Sequence, residues 1–155
     1  MFGKASETAI AAMSRLAEVY DGGLTRLSAA EIAASRGLQA PFVAKVLSSI
    51  SQAGLVDGSR GPGGGFTFAK HPREVNLFDV FCLFEHEEQS NVCPFGGGVC
   101  GAKDACPLHD RLFDVRKAID RVLHQTTFDT FRQSYIKNRG NARWRLADVV
   151  SRQLR

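Results

Sequence analysis

Apolar residues near the start of the chain recur in steps of three and four: Ile10, Met13, Leu16, Ala17 and Tyr20. That spacing puts them on one face and predicts an amphipathic helix from Ser6 to Tyr20, with the stripe turned into a core. Asp21-Gly22-Gly23 ends it. Leu24 to Leu27 fits a short strand or an extended connection. Ser28 followed three residues later by Glu31 is a capping box. It opens a short helix running through Ser35 and stopped by Gly37. Leu38 to Ala40 is a turn, and Pro41 suits the first position of the next helix, where its missing N–H costs nothing. Val43, Val46, Leu47 and Ile50 form that helix's apolar face, and Gly54 suits its C-terminal cap. Helix, tight turn with glycine, helix is the helix-turn-helix pattern.

The period then changes. Leu55 to Ser59 and Phe66 to Ala69 read as two strands, joined by the tight loop from Arg60 to Gly65. A helix-turn-helix followed at once by a β-hairpin is a winged helix. Leu77 to Phe84 is strongly apolar and predicts a helix packed on the first one, capped by Asn76. Cys82 lies inside it and is expected to be a small buried hydrophobe rather than a ligand. Glu85, His86, Glu87 and Glu88 read as solvated charge in a polar linker. A long helix is expected from near Pro107, with Leu112, Val115, Ile119 and Val122 in steps of three, four and three. That is a coiled-coil-like seam, and in so small a chain it predicts packing against a second copy. Thr126 or Thr127 is expected to cap a further short helix, Phe128 to Tyr135. Leu146, Val149, Val150 and Leu154 fit one more amphipathic helix. The fold class is therefore mainly α with a small β-hairpin: a winged helix-turn-helix plus a long dimerisation helix.

Composition narrows the setting. The chain has 155 residues, enough for one domain or a small domain with an extension. No apolar run approaches the ~20 residues of a membrane-spanning helix. The N-terminus lacks the long apolar region of a signal peptide, so a cytoplasmic location is expected. The net charge is +4, but its distribution says more. Residues 1–75 carry 8 Lys/Arg against 6 Asp/Glu, residues 76–136 carry 6 against 9, and residues 137–155 carry 6 against 1. A basic balance permits nucleic-acid binding without showing it. The division expected is a winged helix-turn-helix over 1–75, a cysteine loop with dimerisation helices over 76–136, and a basic extension over 137–155.

If the second helix of the pair enters a major groove, its first turn faces base edges. Gln39, Phe42 and Lys45 are the exposed candidates there. Gln39 suits a bidentate contact to adenine, and Phe42 suits a thymine methyl. Lys45, Ser48 and Ser49 are better placed for phosphates. At the wing tip Arg60 supplies the charge that a narrow minor groove attracts. The bland alternative there is a glycine-rich hairpin with one solvated arginine. Ser28, Gly61 and Pro62 complete the candidate DNA-binding set.

The chemistry-bearing stretch is Cys93 to His109, in which Cys93, Cys100, Cys106 and His109 follow the spacing C-x6-C-x5-C-x2-H. Gly96, Gly97, Gly98 and Gly101 between them allow tight backbone turns. In a reducing compartment clustered cysteines are metal ligands more often than disulfides. Three thiolates and an imidazole suit an iron–sulfur cluster. Structural zinc takes the same donors and is the alternative. No nucleophile–base constellation and no phosphate-binding loop is visible, so no enzymatic activity is expected.

The wing sequence from Arg60 to Gly65, the preceding helix-turn-helix with Ala53-Gly54-Leu55-Val56, and the downstream cysteine loop together resemble the Rrf family. These are bacterial iron–sulfur winged-helix regulators, with IscR and NsrR among the branches, and the likeness covers residues 1 to about 136. It implies a homodimeric transcription factor on double-stranded DNA whose cluster state sets its affinity. Cys93, Cys100 and Cys106 match the three cluster cysteines, with six residues in the first gap where five is usual. His109 matches the fourth ligand of an IscR-like [2Fe–2S] cluster. Glu7 falls where the NsrR branch has an aspartate ligating a [4Fe–4S] cluster from the partner subunit. The chain thus holds two candidate fourth ligands, and His109 with [2Fe–2S] is favoured for its proximity to the cysteines. Ala44 stands where IscR has a base-reading glutamate, which leaves the operator sequence open.

Overall fold

Helix α1 spans Lys4–Glu18 in a computed structural model that describes residues 3–85 and 107–138. Its stripe is the predicted one. Ala9, Ala12, Met13, Leu16 and Ala17 are buried, while Ile10 and Tyr20 border the core. α1 starts two residues earlier than expected, at the extended N-cap Gly3.

Helix α2, Ala29–Arg36, carries the complete capping box. Ser28 Oγ accepts the Glu31 N–H, the Glu31 carboxylate accepts the Ser28 N–H, and Gly37 closes the helix in the left-handed conformation with φ +65°. Helix α3 spans Ala40–Gln52, with Pro41 in its first turn and Val43, Val46, Leu47 and Ile50 buried. α2 and α3 pack on each other and on α1. Strands β1, Val56–Ser59, and β2, Gly65–Phe68, form an antiparallel hairpin with Val56 opposite Phe68 and Ser59 opposite Gly65. A 3₁₀ turn, Pro72–Glu74, leads to helix α4, Leu77–Phe81. Asn76 and Asp79 cap α4 reciprocally. α5 spans His109–Gln125 and α6 spans Asp129–Lys137. Leu123 and Phe128 join the same core cluster as α1 to α3, and the Phe128 ring meets Phe68 of the wing at 5.8 Å.

The outcome differs from expectation at three further places. α4 ends at Phe81 rather than Phe84, so Cys82 falls just past it and is exposed instead of buried. Leu77 and Val80 take the core positions. Partial desolvation of the sulfur, with the Asp79 charge adding to it, still pushes the Cys82 thiol upward. Glu85 is no solvated linker charge, because it bonds to Gly3 and Ser6 at the start of α1. Neither Thr126 nor Thr127 caps α6 with its side chain. The N-cap is Phe128, whose ring is fully buried, and Thr127 contributes its carbonyl to the Thr130 N–H. The helix expected around Leu146 to Leu154 lies outside the described residues. Among the described residues no helix is long and apolar enough to cross a membrane.

Candidate nucleic-acid interface and metal-ligand set

The capping box that starts α2 also occupies Ser28. Its hydroxyl accepts the Glu31 N–H at 3.2 Å and contacts Glu31 Oε2 at 2.7 Å. The Ser28 backbone N–H, followed by its hydroxyl, holds the Glu31 carboxyl below the usual glutamate range. Ser28 is thus committed to the helix, and any phosphate contact would compete with the box.

On α3, Gln39 is exposed at the N-cap and does not spend its side chain on capping. Lys45 is exposed one to two turns further on. Phe42 departs from the exposed position expected for it, because it is half-buried and packs against the core. Only part of its ring is available to a base. Ser48 and Ser49 are exposed, but their hydroxyls donate to Ala44 O at 2.8 Å and Lys45 O at 3.4 Å. A phosphate accepts hydrogen bonds, so either serine must turn away from the helix to meet one.

The wing tip presents Arg60, Gly61 and Pro62 to solvent. Its glycines serve the fold first. A Cβ on Gly64 would lie 2.5 Å from Ser59 O, and one on Gly65, at φ +143°, would lie 2.7 Å from the Leu27 carbonyl. The second approach exists because Leu27 pairs with Phe66 through two backbone bonds, 3.1 Å and 2.8 Å. The return strand is thereby stitched to the residue before the α2 cap, which sets the wing beside the helix-turn-helix. Arg26 supports this junction: its Nη1 donates to Asp57 O at 3.3 Å and Gly65 O at 3.5 Å. Nothing in the local pattern of Leu24 to Leu27 marks Arg26, because its partners are 31 and 39 residues away.

Of the candidate ligands, Cys93, Cys100 and Cys106 lie outside the described residues. Among the described residues no three His, Cys, Asp or Glu side chains gather into a metal-binding group. His109 is half-buried at the first residue of α5, and its ring stacks on Phe113 at 6.1 Å. Glu7 is exposed in the first turn of α1. The two candidate fourth ligands therefore sit on separate helices. The donor chemistry fits an iron–sulfur cluster, with three thiolates for iron and an imidazole or carboxylate to complete the set. α5 offers first-turn N–H groups with no side-chain cap, a positive helix end three residues beyond Cys106.

Past His109, α5 presents apolar side chains outward. Val115 and Val122 are 46% and 56% exposed, and Leu108 and Phe113 are exposed as well. Leu112 and Ile119 are half-buried, and Leu123 is buried.

This arrangement matches known proteins. The chain is 30% identical over 124 residues to the HTH-type transcriptional repressor NsrR of Streptomyces coelicolor, covering 80% of this chain and 82% of that one. It is 28% identical over 152 residues to the HTH-type transcriptional regulator IscR of Cereibacter sphaeroides, covering 95% and 84%. Its fold is that of CymR, the global cysteine regulator of B. subtilis, with a TM-score of 0.67 at 23% identity over 86% of this chain and 97% of CymR. The Rrf2 family, described as iron-dependent transcriptional regulators, matches residues 2–133. The chain belongs to the Rrf2 family and is a winged-helix, DNA-binding transcriptional regulator.

Proposed function

We propose that the protein is a homodimeric regulator whose operator affinity is set by an iron–sulfur cluster held by Cys93, Cys100, Cys106 and His109. [2Fe–2S] is favoured over [4Fe–4S], which would call on Glu7. The reading divides the chain into a DNA-binding unit over 1–75, a cysteine segment with dimerisation helices over 76–136, and a basic extension over 137–155. It places the protein in the cytoplasm.

The observation that carries this reading is that His109 opens the same helix that bears the exposed apolar row ending at Val122. A candidate ligand and a candidate dimer seam thus belong to one rigid rod. α5 packs on α4, α4 on α1, and α1 on α2 and α3. When bound, the cluster would supply a redox-responsive centre. The chain's own residues do the rest. Gln39 and the free edge of Phe42 read bases and Lys45 holds a phosphate, while Ser48 and Ser28 reach one by giving up their bonds to Ala44 O and Glu31. Arg60, with Gly61 and Pro62, enters the minor groove. Two α3 helices must match half-sites about 34 Å apart, so a small shift of the seam costs affinity.

The test is binding of anaerobically purified protein to a duplex selected from a random pool, before and after metal removal. A change of at least about tenfold is expected, within the range of ordinary coupling. Equal affinity in the two states would remove cluster control and leave the DNA-binding protein intact.

A further inference from the structure

The Glu85 carboxylate reaches from the chain that follows α4 to the start of α1. It accepts the Gly3 N–H at 2.6 Å and the Ser6 hydroxyl at 2.5 Å, across 82 and 79 residues of sequence. Ser6 is fully buried, so its hydroxyl needs an acceptor within the protein, and Glu85 supplies it. Gly3 is the N-cap of α1, and a Cβ there would lie 2.8 Å from Glu85 Oε1. The close approach therefore uses the missing side chain. An anion at this helix end is also favoured by the helix dipole. The backbone of Glu85 is held in turn, because its N–H bonds to Phe81 O at 3.1 Å.

The position of this tie matters. Glu7, one candidate fourth ligand, directly follows Ser6, and Cys93 follows Glu85 by eight residues. α1 is also the helix on which α2 and α3 rest.

We propose that Glu85 is a positioning residue that fastens the α4 end of the cysteine-bearing segment to the first turn of α1, and through α1 to the recognition unit. The signal it carries rests on the cluster reading above, whereas the fastening itself does not. Both bonds end on one atom, Glu85 Oε1, so a single acceptor joins the α1 N-cap to the buried Ser6 hydroxyl. An alanine in its place removes that acceptor and leaves the Gly3 N–H and the buried Ser6 hydroxyl without it.

The experiment uses full-length protein with E85A, which removes both bonds, and with S6A as a second variant that removes one of the two. It reads iron and sulfide content, amide hydrogen exchange over residues 3–9, and affinity for the selected duplex with and without the cluster. E85A is expected to keep its iron and sulfide and to exchange about tenfold faster over residues 3–9. Its ratio of affinities between the two cluster states should collapse from about tenfold to below about twofold. Unchanged exchange together with an unchanged ratio overturns the proposal. If the wild type itself shows no difference between the states, the cluster reading fails separately. Exchange and E85A affinity then decide: faster exchange with binding at least about fivefold weaker sustains the fastening, and wild-type values for both overturn it. Should E85A fold poorly, S6A carries the same readouts, with smaller shifts in the same directions expected.

Discussion

Glu18 and Arg36 join α1 to α2 through a 2.6 Å ion pair, with side chains only 13% and 8% exposed. The same carboxylate takes Arg15 Nη1 at 2.9 Å, and Arg36 also donates to Ser14 Oγ and to Ala11 O. The first helix of the DNA-binding pair is therefore pinned to α1 by one nearly enclosed acceptor. Replacing Glu18 with Gln leaves two guanidinium groups facing a neutral amide. The variant should lose about 2 kcal/mol of stability, the scale of a charged hydrogen bond removed from a shielded site. Chemical denaturation measures this, and a midpoint within error of wild type would contradict it.

The wing offers a graded test. Gly65 has φ +143° with the Leu27 backbone 2.7 Å from a would-be Cβ, whereas Gly61 has φ +92° and open space around it. Gly65→Ala should part β2 from Leu27 and weaken DNA binding clearly. Gly61→Ala should cost only the local backbone strain, about 1 kcal/mol. Affinity of both variants for one duplex, compared with Arg60→Ala, checks the order. Equal effects at Gly61 and Gly65 would mean that the wing's link to α2 does not shape the interface.

The exposed row on α5 gives a prediction for assembly. Val115 and Val122 are open to solvent in the protomer, so Val115→Glu or Val122→Glu should leave its fold intact. Against a partner helix the same charge is buried without a counterion. Sedimentation should show the dimer reduced to monomer with an unchanged circular dichroism spectrum. A variant that remains dimeric would place the interface elsewhere.

The capping box makes a pH prediction. Glu31 titrates below the ordinary glutamate value of 4.5, because the Ser28 N–H and then its hydroxyl favour the ionised form. A group depressed in the folded state contributes stability above its unfolded value and loses it as the pH falls through its folded value. Stability should therefore decline on acidification below about pH 4.5. Ser28→Ala should flatten that part of the profile and lower stability at neutral pH by about 1 kcal/mol, the usual cost of a lost cap. An identical acid profile in the two proteins would contradict the assignment.

What could be read in the sequence was local. Ser28 with Glu31, Gly37 and the stripe from Met13 to Leu16 declare their roles through spacing alone, and the winged helix follows from their order. The long-range relations were not legible. Glu85 looks like one acidic residue among several until the fold brings it to Ser6, and Arg26 looks like a surface cation until Asp57 and Gly65 arrive beside it. Cys82 escapes the pattern because apolar composition continues to Phe84 while α4 stops at Phe81, leaving the thiol outside. Phe42 occupies a recognition position by register, yet the core claims much of its ring. At the candidate site, motif and spacing named the donors, and the structure adds that His109 heads the helix bearing the exposed row.

The central claim is tested most directly by iron and acid-labile sulfide per protomer in anaerobically purified protein, with its visible spectrum. About two of each, with a [2Fe–2S] spectrum, are predicted for Cys93, Cys100, Cys106 and His109. About four of each would contradict His109 and move the fourth ligand to Glu7. Zinc without sulfide, or no metal at all, would contradict the cluster and leave a winged-helix regulator controlled by a ligand or a partner.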